Sequence, residues 1–162
     1  MKLIKLFVIS VVVLFLLLTA LSSLLPSKVR ISRAIDIPDS SGIVLSKIKD
    51  FKQWELWNEY VKALTGKKVT TDSIYANELS ITVTHIDDVT VNTIWRQQNG
   101  KTFPGVFNLI PHASITTVQW YFEFTIKWYP WEKFGSIIYD KQLGPQMEKS
   151  LRNLNQLLEK AP

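Results

Sequence analysis

The chain contains no cysteine. That excludes a disulfide framework, a thiolate metal site, a cysteine nucleophile and a lipidated cysteine behind a signal. Histidine is nearly absent as well, with only His85 and His112 present. His112 follows Pro111 in a turn with no second histidine or carboxylate at ligand spacing, so no metal site is expected. Arginine occurs only four times, at Arg30, Arg33, Arg96 and Arg152, and the basic residues alternate with acids. The concentrated basic stripe of a nucleic-acid module is therefore missing, and nucleic acid is not an expected partner. No Gly-rich phosphate loop, Ser-His-Asp order or paired buried carboxylates can be argued from spacing, and no cofactor is implied.

What is present divides at once into two parts. The 162 residues and 18.7 kDa suit one ordinary domain with an appendage. Leu6 to Leu25 form 20 residues without a charge, including eight Leu, four Val, two Phe and one Ile. About 20 helical residues cover the ~30 Å hydrocarbon core of a bilayer. At roughly −0.3 to −0.6 kcal/mol for each large apolar residue, insertion gains on the order of 5–9 kcal/mol. A cleaved signal peptide is the competing reading, with Lys2 and Lys5 as its basic start and Ala20-Leu21-Ser22 as a poor cleavage site. Because the apolar run continues through Leu24 and Leu25, residues 1–26 are read as an uncleaved anchor and residues 27–162 as the folded domain.

Net charge says little more. The total of +5 falls to +3 once Lys2 and Lys5 are set aside, leaving 17 Lys and Arg against 14 Asp and Glu. Lys2, Lys5 and the amino terminus on one side of the span nearly balance Lys28, Arg30 and Arg33 on the other. The short, signal-like start favours a domain outside the cytoplasm.

After Pro26 the pattern turns to period two. Val29, Ile31, Ile35 and Ile37 share one face, opposite Lys28, Arg30, Ser32 and Asp36. Pro38-Asp39-Ser40-Ser41 supplies turn and N-cap chemistry before Ile43, Val44, Ile48 and Phe51, which recur at helical spacing up to about Asp50. A second short helix is expected through Trp54 and Trp57. Strands follow: Leu79, Ile81 and Val83 share a face within Glu78–Ile86, Asp87-Asp88 turns into Val89, Val91, Thr93 and Trp95, and Asn99-Gly100 turns into Phe103, Gly105, Phe107 and Leu109. Pro111-His112 is expected to make the next turn. The last strand sets Val118, Trp120, Phe122, Phe124, Ile126 and Trp128 against Gln119, Tyr121, Glu123, Thr125 and Lys127. From about Ser136 the spacing of Leu143, Met147, Leu151, Leu154 and Leu158 predicts a long amphipathic helix. This order describes an α+β domain in which a curved antiparallel sheet wraps a carboxy-terminal helix.

Asp50-Phe51-Lys52-Gln53-Trp54-Glu55-Leu56-Trp57 resembles the element after the first helix of the SRPBCC family, the START-like and polyketide cyclase/dehydrase-like proteins. Tyr129-Pro130-Trp131, then Asp140-Lys141-Gln142-Leu143-Gly144-Pro145-Gln146-Met147-Glu148-Lys149 and Leu151-Arg152-Asn153-Leu154, is similar to the entry into the last helix of a membrane-anchored bacterial branch. The chain departs from that pattern in a short Tyr60–Glu78 segment and in Ser150, where Gly is common. The resemblance implies a helix-grip fold, an apolar cavity for a lipid or other hydrophobic small molecule, and a single-pass protein of the bacterial inner membrane.

Under that resemblance the cavity-lining candidates are Val83, His85, Trp95, Phe107, Trp120, Phe122, Phe124, Met147 and Leu151. The bland alternative is that the rings simply fill the core, as aromatic side chains do in small sheet proteins. His85, continuing the Val83 face, reads better as a half-exposed strand-end histidine than as a catalyst. Tyr121 and Glu123 fall on the opposite face, and Asp87-Asp88 suits a turn. Trp54, Trp57 and Trp131 fit either a membrane interface or the pinning of the short helix to the sheet, and the resemblance favours pinning. Three functions stay open: a non-catalytic hydrophobic-ligand domain, a cyclase or dehydrase without an identifiable acid/base pair, and an envelope interaction module with a filled core.

Overall fold

The computed structural model describes residues 2–160. Helix α1, Lys2–Ser23, carries the uncharged run. Strand β1, Lys28–Ile37, follows two residues beyond Leu25, with Ile31 and Ile37 buried as its alternation predicts. Ser40 takes the N-cap position of α2, Ser41–Lys49, although only its carbonyl serves the helix, accepting from the Ile43 and Val44 N–H groups. Val44, Leu45 and Ile48 are the buried stripe.

Two further caps shape the next turns. The Asp50 carboxylate accepts from the Lys52 N–H and opens a 3-10 turn over Phe51–Gln53. Asn58 accepts from the Tyr60 and Val61 N–H groups at 3.0 and 3.3 Å, separating α3, Trp54–Trp57, from α4, Glu59–Ala63. The chain then makes β2, Lys68–Val69, and β3, Ser73–Tyr75, so the short segment after Tyr60 still supplies two abbreviated strands. Strands β4, Leu79–Ile86, β5, Thr90–Gln97, β6, Thr102–His112, and β7, Ile115–Thr125, complete one antiparallel sheet in the order β1-β7-β6-β5-β4-β3-β2. After α5, Pro130–Gly135, and a 3-10 turn over Ser136–Ile138, helix α6, Tyr139–Glu159, packs across β1. It buries Met147, Leu151, Leu154 and Leu158 as its spacing predicts.

Three expectations need correction. The β6–β7 strands stay paired through His112 and Ile115, so the turn falls at Ala113-Ser114, with Ala113 at φ 46°, rather than at Pro111-His112. Strand β7 ends at Thr125, opposite Lys28, because β1 has no earlier residue left to pair. Ile126 is tied off by its N–H donating to the Ser27 carbonyl, Pro130 opens α5, and Trp128 lies exposed instead of on the inner face. Lastly, β4 bulges between Val83 and His85. The extra residue reverses which side chains face inward, so His85 is exposed, 3.4 Å from Asp87, and leaves the Val83 face.

Candidate functional site

The concave face of the sheet is paved with rings. Trp95 from β5, Phe107 from β6, and Trp120 and Phe122 from β7 are all buried in the core, together with Met147 and Leu151 from α6. Phe107 and Trp120 stack at 4.8 Å, and Phe122 meets Trp95 edge-on at 4.9 Å. This layer is covered by α3 and α4 rather than left open beneath α6. Trp54 and Trp57 lie 5.5 and 6.0 Å from Phe107, and Tyr60 lies 5.6 Å from Trp95 and 5.9 Å from Trp120. Trp54 and Trp57 therefore pin the short helix to the sheet, and the Trp54 indole N–H donates to the Ile48 carbonyl at 2.7 Å. The indole N–H groups of Trp57 and Trp120 are buried without a protein acceptor, each a penalty of about 1–3 kcal/mol that the ring packing must offset.

The cover stops at Phe122. Beyond it, towards the Asn99-Gly100 turn, the first turn of α6 stands away from the ends of β6 and β7 and leaves an open groove of about 440 Å³. Phe103, Phe124, Ile126, Tyr139 and Leu143 form its apolar floor and wall. Phe124 joins Phe103 at 4.8 Å and Tyr139 at 5.1 Å. Lys101, Lys127, Gln142 and Glu132 make the polar rim, where the Glu132 carboxylate accepts from the Lys127 N–H at 3.3 Å. The rim thus carries two lysines and one glutamate around an apolar trough.

Of the nine sequence candidates, Phe124 alone lines this groove. Trp95, Phe107, Trp120, Phe122, Met147 and Leu151 are packed core, Val83 lies half-buried against it, and His85 is outside. On the convex face Glu123 accepts from the Arg30 Nε at 3.0 Å, and the Arg30 guanidinium sits 4.4 Å above the Tyr121 ring. Phe103 was legible as an inward β6 ring. Tyr139 and Leu143 belong to the helix entry, where periodicity marks a core face but not where the core ends.

The sequence reading missed Arg33, which the period-two spacing of β1 puts on the inward face. It occupies the inner face of β1 between Ile31 and Ile35, and bonds Asp140 at 2.9 Å and Glu148 at 2.8 Å on α6. The Asp140 carboxyl is held below its usual range by that hydrogen bond. A Cβ at Gly144 would overlap the guanidinium, so glycine makes room for it. The Tyr60 hydroxyl donates to the Leu143 carbonyl at 2.9 Å, and burial pushes its pKa up, which keeps it neutral. Ser150, where a glycine is usual, accepts from the Glu59 N–H and donates to the Gln146 carbonyl, joining α4 to α6. Among the described residues no group of three His, Asp or Glu side chains could hold a metal ion.

No known family profile matches the chain, and no curated protein matches it. Solved structures do. A START superfamily protein from Mycobacterium smegmatis superposes with a TM-score of 0.59 at 14% identity, over 81% of this chain and 97% of that one. CalU16 from Micromonospora echinospora gives 0.57 at 10% identity, over 83% and 84%. DynU16, a protein of the dynemicin biosynthetic locus, gives 0.58 at 17% over 81% of this chain, which spans about half of DynU16, 47% of its length. At such identities the likeness is one of fold. The seven-stranded curved sheet gripping a long carboxy-terminal helix is thus the α+β, START-like helix-grip fold.

Proposed function

We propose that this protein is a membrane-anchored domain, residues 27–162 on an uncleaved helix within residues 1–26, that binds a lipid or similar hydrophobic small molecule without transforming it. The observation that carries the reading is the 440 Å³ groove with its aromatic floor and a rim of two lysines and one glutamate, a size within the ~300–1,000 Å³ usual for ligand pockets. The site is the groove at the entry of α6 rather than the ring-paved interior. A ligand of about 20 heavy atoms at roughly 0.3 kcal/mol each gains about 6 kcal/mol, a dissociation constant of tens of micromolar. Such weak binding suits an exchangeable lipid. The resemblance supports placement in the bacterial inner membrane, and the short, signal-like start of the anchor, rather than its nearly balanced flanking charges, supports a domain outside the cytoplasm.

The filled aromatic layer favours a second reading, an envelope interaction module that binds no small molecule. Anilinonaphthalene sulfonate, an amphiphile with an anionic head, separates the two. Its fluorescence should rise on the wild-type chain, and Gln97→Trp, which places an indole in the groove from the exposed end of β5 on the Trp95 face, should weaken binding at least tenfold with the thermal transition kept. Absence of binding to the folded wild type would support the interaction module. Turnover of a polyketide-like substrate that disappears in Glu132→Gln would instead support a cyclase or dehydrase.

A further inference from the structure

Outside α1, most exposed apolar side chains are scattered singly, but one stretch concentrates them. Trp128 and Trp131 are each 63% exposed, Ile137 60%, Ile138 49% and Phe134 39%. All five lie within the eleven residues of α5, its approach and its exit. Their placement is fixed. Helix α5 packs against α1, and Lys133, itself buried, donates to the Leu25 carbonyl at 2.7 Å and to the Ser27 hydroxyl at 2.9 Å. Tyr129 stacks on Trp131 at 4.9 Å with the planes 8° apart, which stiffens the ridge.

We infer that this ridge is a second membrane contact, seated in the headgroup and upper acyl region of the same bilayer that α1 spans. The inference rests on the anchor reading above. The 22 residues of α1 make about 33 Å of helix against ~30 Å of hydrocarbon, so its last turn reaches the interface. Anything packed on that turn is held at the same depth. Only Pro26 and Ser27 separate Leu25 from β1, and the Lys133 clamp removes the freedom of that link. Tryptophan and tyrosine favour this layer, with an apolar ring and a polar N–H or O–H to offer. Lys127 and Glu132 alternate with the ridge residues and line the groove, so seating the ridge opens the groove towards lipid. Bilayer lipid is then the source of the ligand.

The full chain in phosphatidylcholine vesicles containing lipids brominated near the headgroup tests this. Helix α1 holds no tryptophan, and Trp54, Trp57, Trp95 and Trp120 are buried in the core, so bromine quenching reports Trp128 and Trp131. Quenching should fall at least fivefold in Trp128→Phe/Trp131→Phe, a conservative pair that retains the thermal transition. In wild type, aqueous iodide should quench no better than in that variant. Equal bromine quenching of both chains, or strong iodide quenching of wild type, would overturn the ridge while the anchor stands. Release of the protein by alkaline carbonate would instead overturn the anchor, and the ridge with it.

Discussion

Gly105→Ala measures how full the interior is. Gly105 lies buried in β6, opposite Thr93 and Phe122. A Cβ built there would stand 2.7 Å from the Trp95 indole nitrogen, 2.8 Å from the Phe122 ring and 2.9 Å from the Thr93 hydroxyl. None of these can swing away freely. The Trp95 N–H donates to the Thr93 oxygen at 2.9 Å, that hydroxyl donates to the Gly105 carbonyl at 2.7 Å, and Phe122 is wedged between Trp95 and Trp120. Overpacking of this kind costs about 1–3 kcal/mol, and losing the indole hydrogen bond adds about 1 kcal/mol. With a urea slope near 2 kcal/mol/M, a loss of about 2–4 kcal/mol lowers the midpoint by about 1–2 M. Gly42→Ala is the control, because nothing lies within 4 Å of a Cβ there, and alanine in α2 should stabilise by about 0.4–1 kcal/mol. Tryptophan fluorescence of the full chain in detergent reads both midpoints. If Gly105→Ala unfolds within about 0.5 kcal/mol of wild type, the rings have room to move, and a cavity beneath α6 returns as the binding site.

Leu151→Ala removes a side chain buried between α6 and the sheet and should cost about 2–5 kcal/mol, whereas Arg152→Ala, one residue on and exposed, should stay within about 0.5 kcal/mol. Similar urea midpoints for the two would show the helix to be wrongly phased. Glu59 receives Lys149 at 2.7 Å, Lys62 at 3.0 Å and Asn153 at 2.7 Å, and these bonds, Lys149 first, hold its carboxyl down to about 2 from 4.5. Its contribution is complete above pH 4.5 and is lost as pH falls towards about 2, so Glu59→Gln should be the less stable chain at neutral pH and should lose part of the acid sensitivity between those values. Parallel stability–pH curves for the two chains would refute the α4–α6 tie.

Strand faces were legible where both neighbours are present. In β7, flanked by β1 and β6, the alternation of Trp120 and Phe122 against Tyr121 and Glu123 holds along the paired length. It failed at Trp128, because period two continues in the letters after the partner strand has ended. It failed at His85 because a bulge is one unpaired residue with no residue type of its own. The groove was beyond reach for a different reason. Its position depends on where Tyr60 and Trp57 stop covering the sheet, a tertiary fact. Trp131, grouped with Trp54 and Trp57 by residue type, parts from them in the fold, since those two are buried and it is not.

The same tertiary facts decide how the groove can work. Filling the concave face with Trp54, Trp57 and Tyr60 moves the available space to the entry of α6, and that entry is held by bonds to α4 and β1. Arg33 reaches Asp140 at the start of the helix and Glu148 two turns on, while Tyr60 holds the Leu143 carbonyl between them. Exposed ion pairs contribute little to stability one by one, about 0–1 kcal/mol. Here two carboxylates and one backbone carbonyl tie down the same two turns of helix, and a glycine at position 144 leaves room for the guanidinium against them. The wall carrying Tyr139 and Leu143 is therefore braced from within the fold, and under the proposed function a ligand would meet a groove already formed.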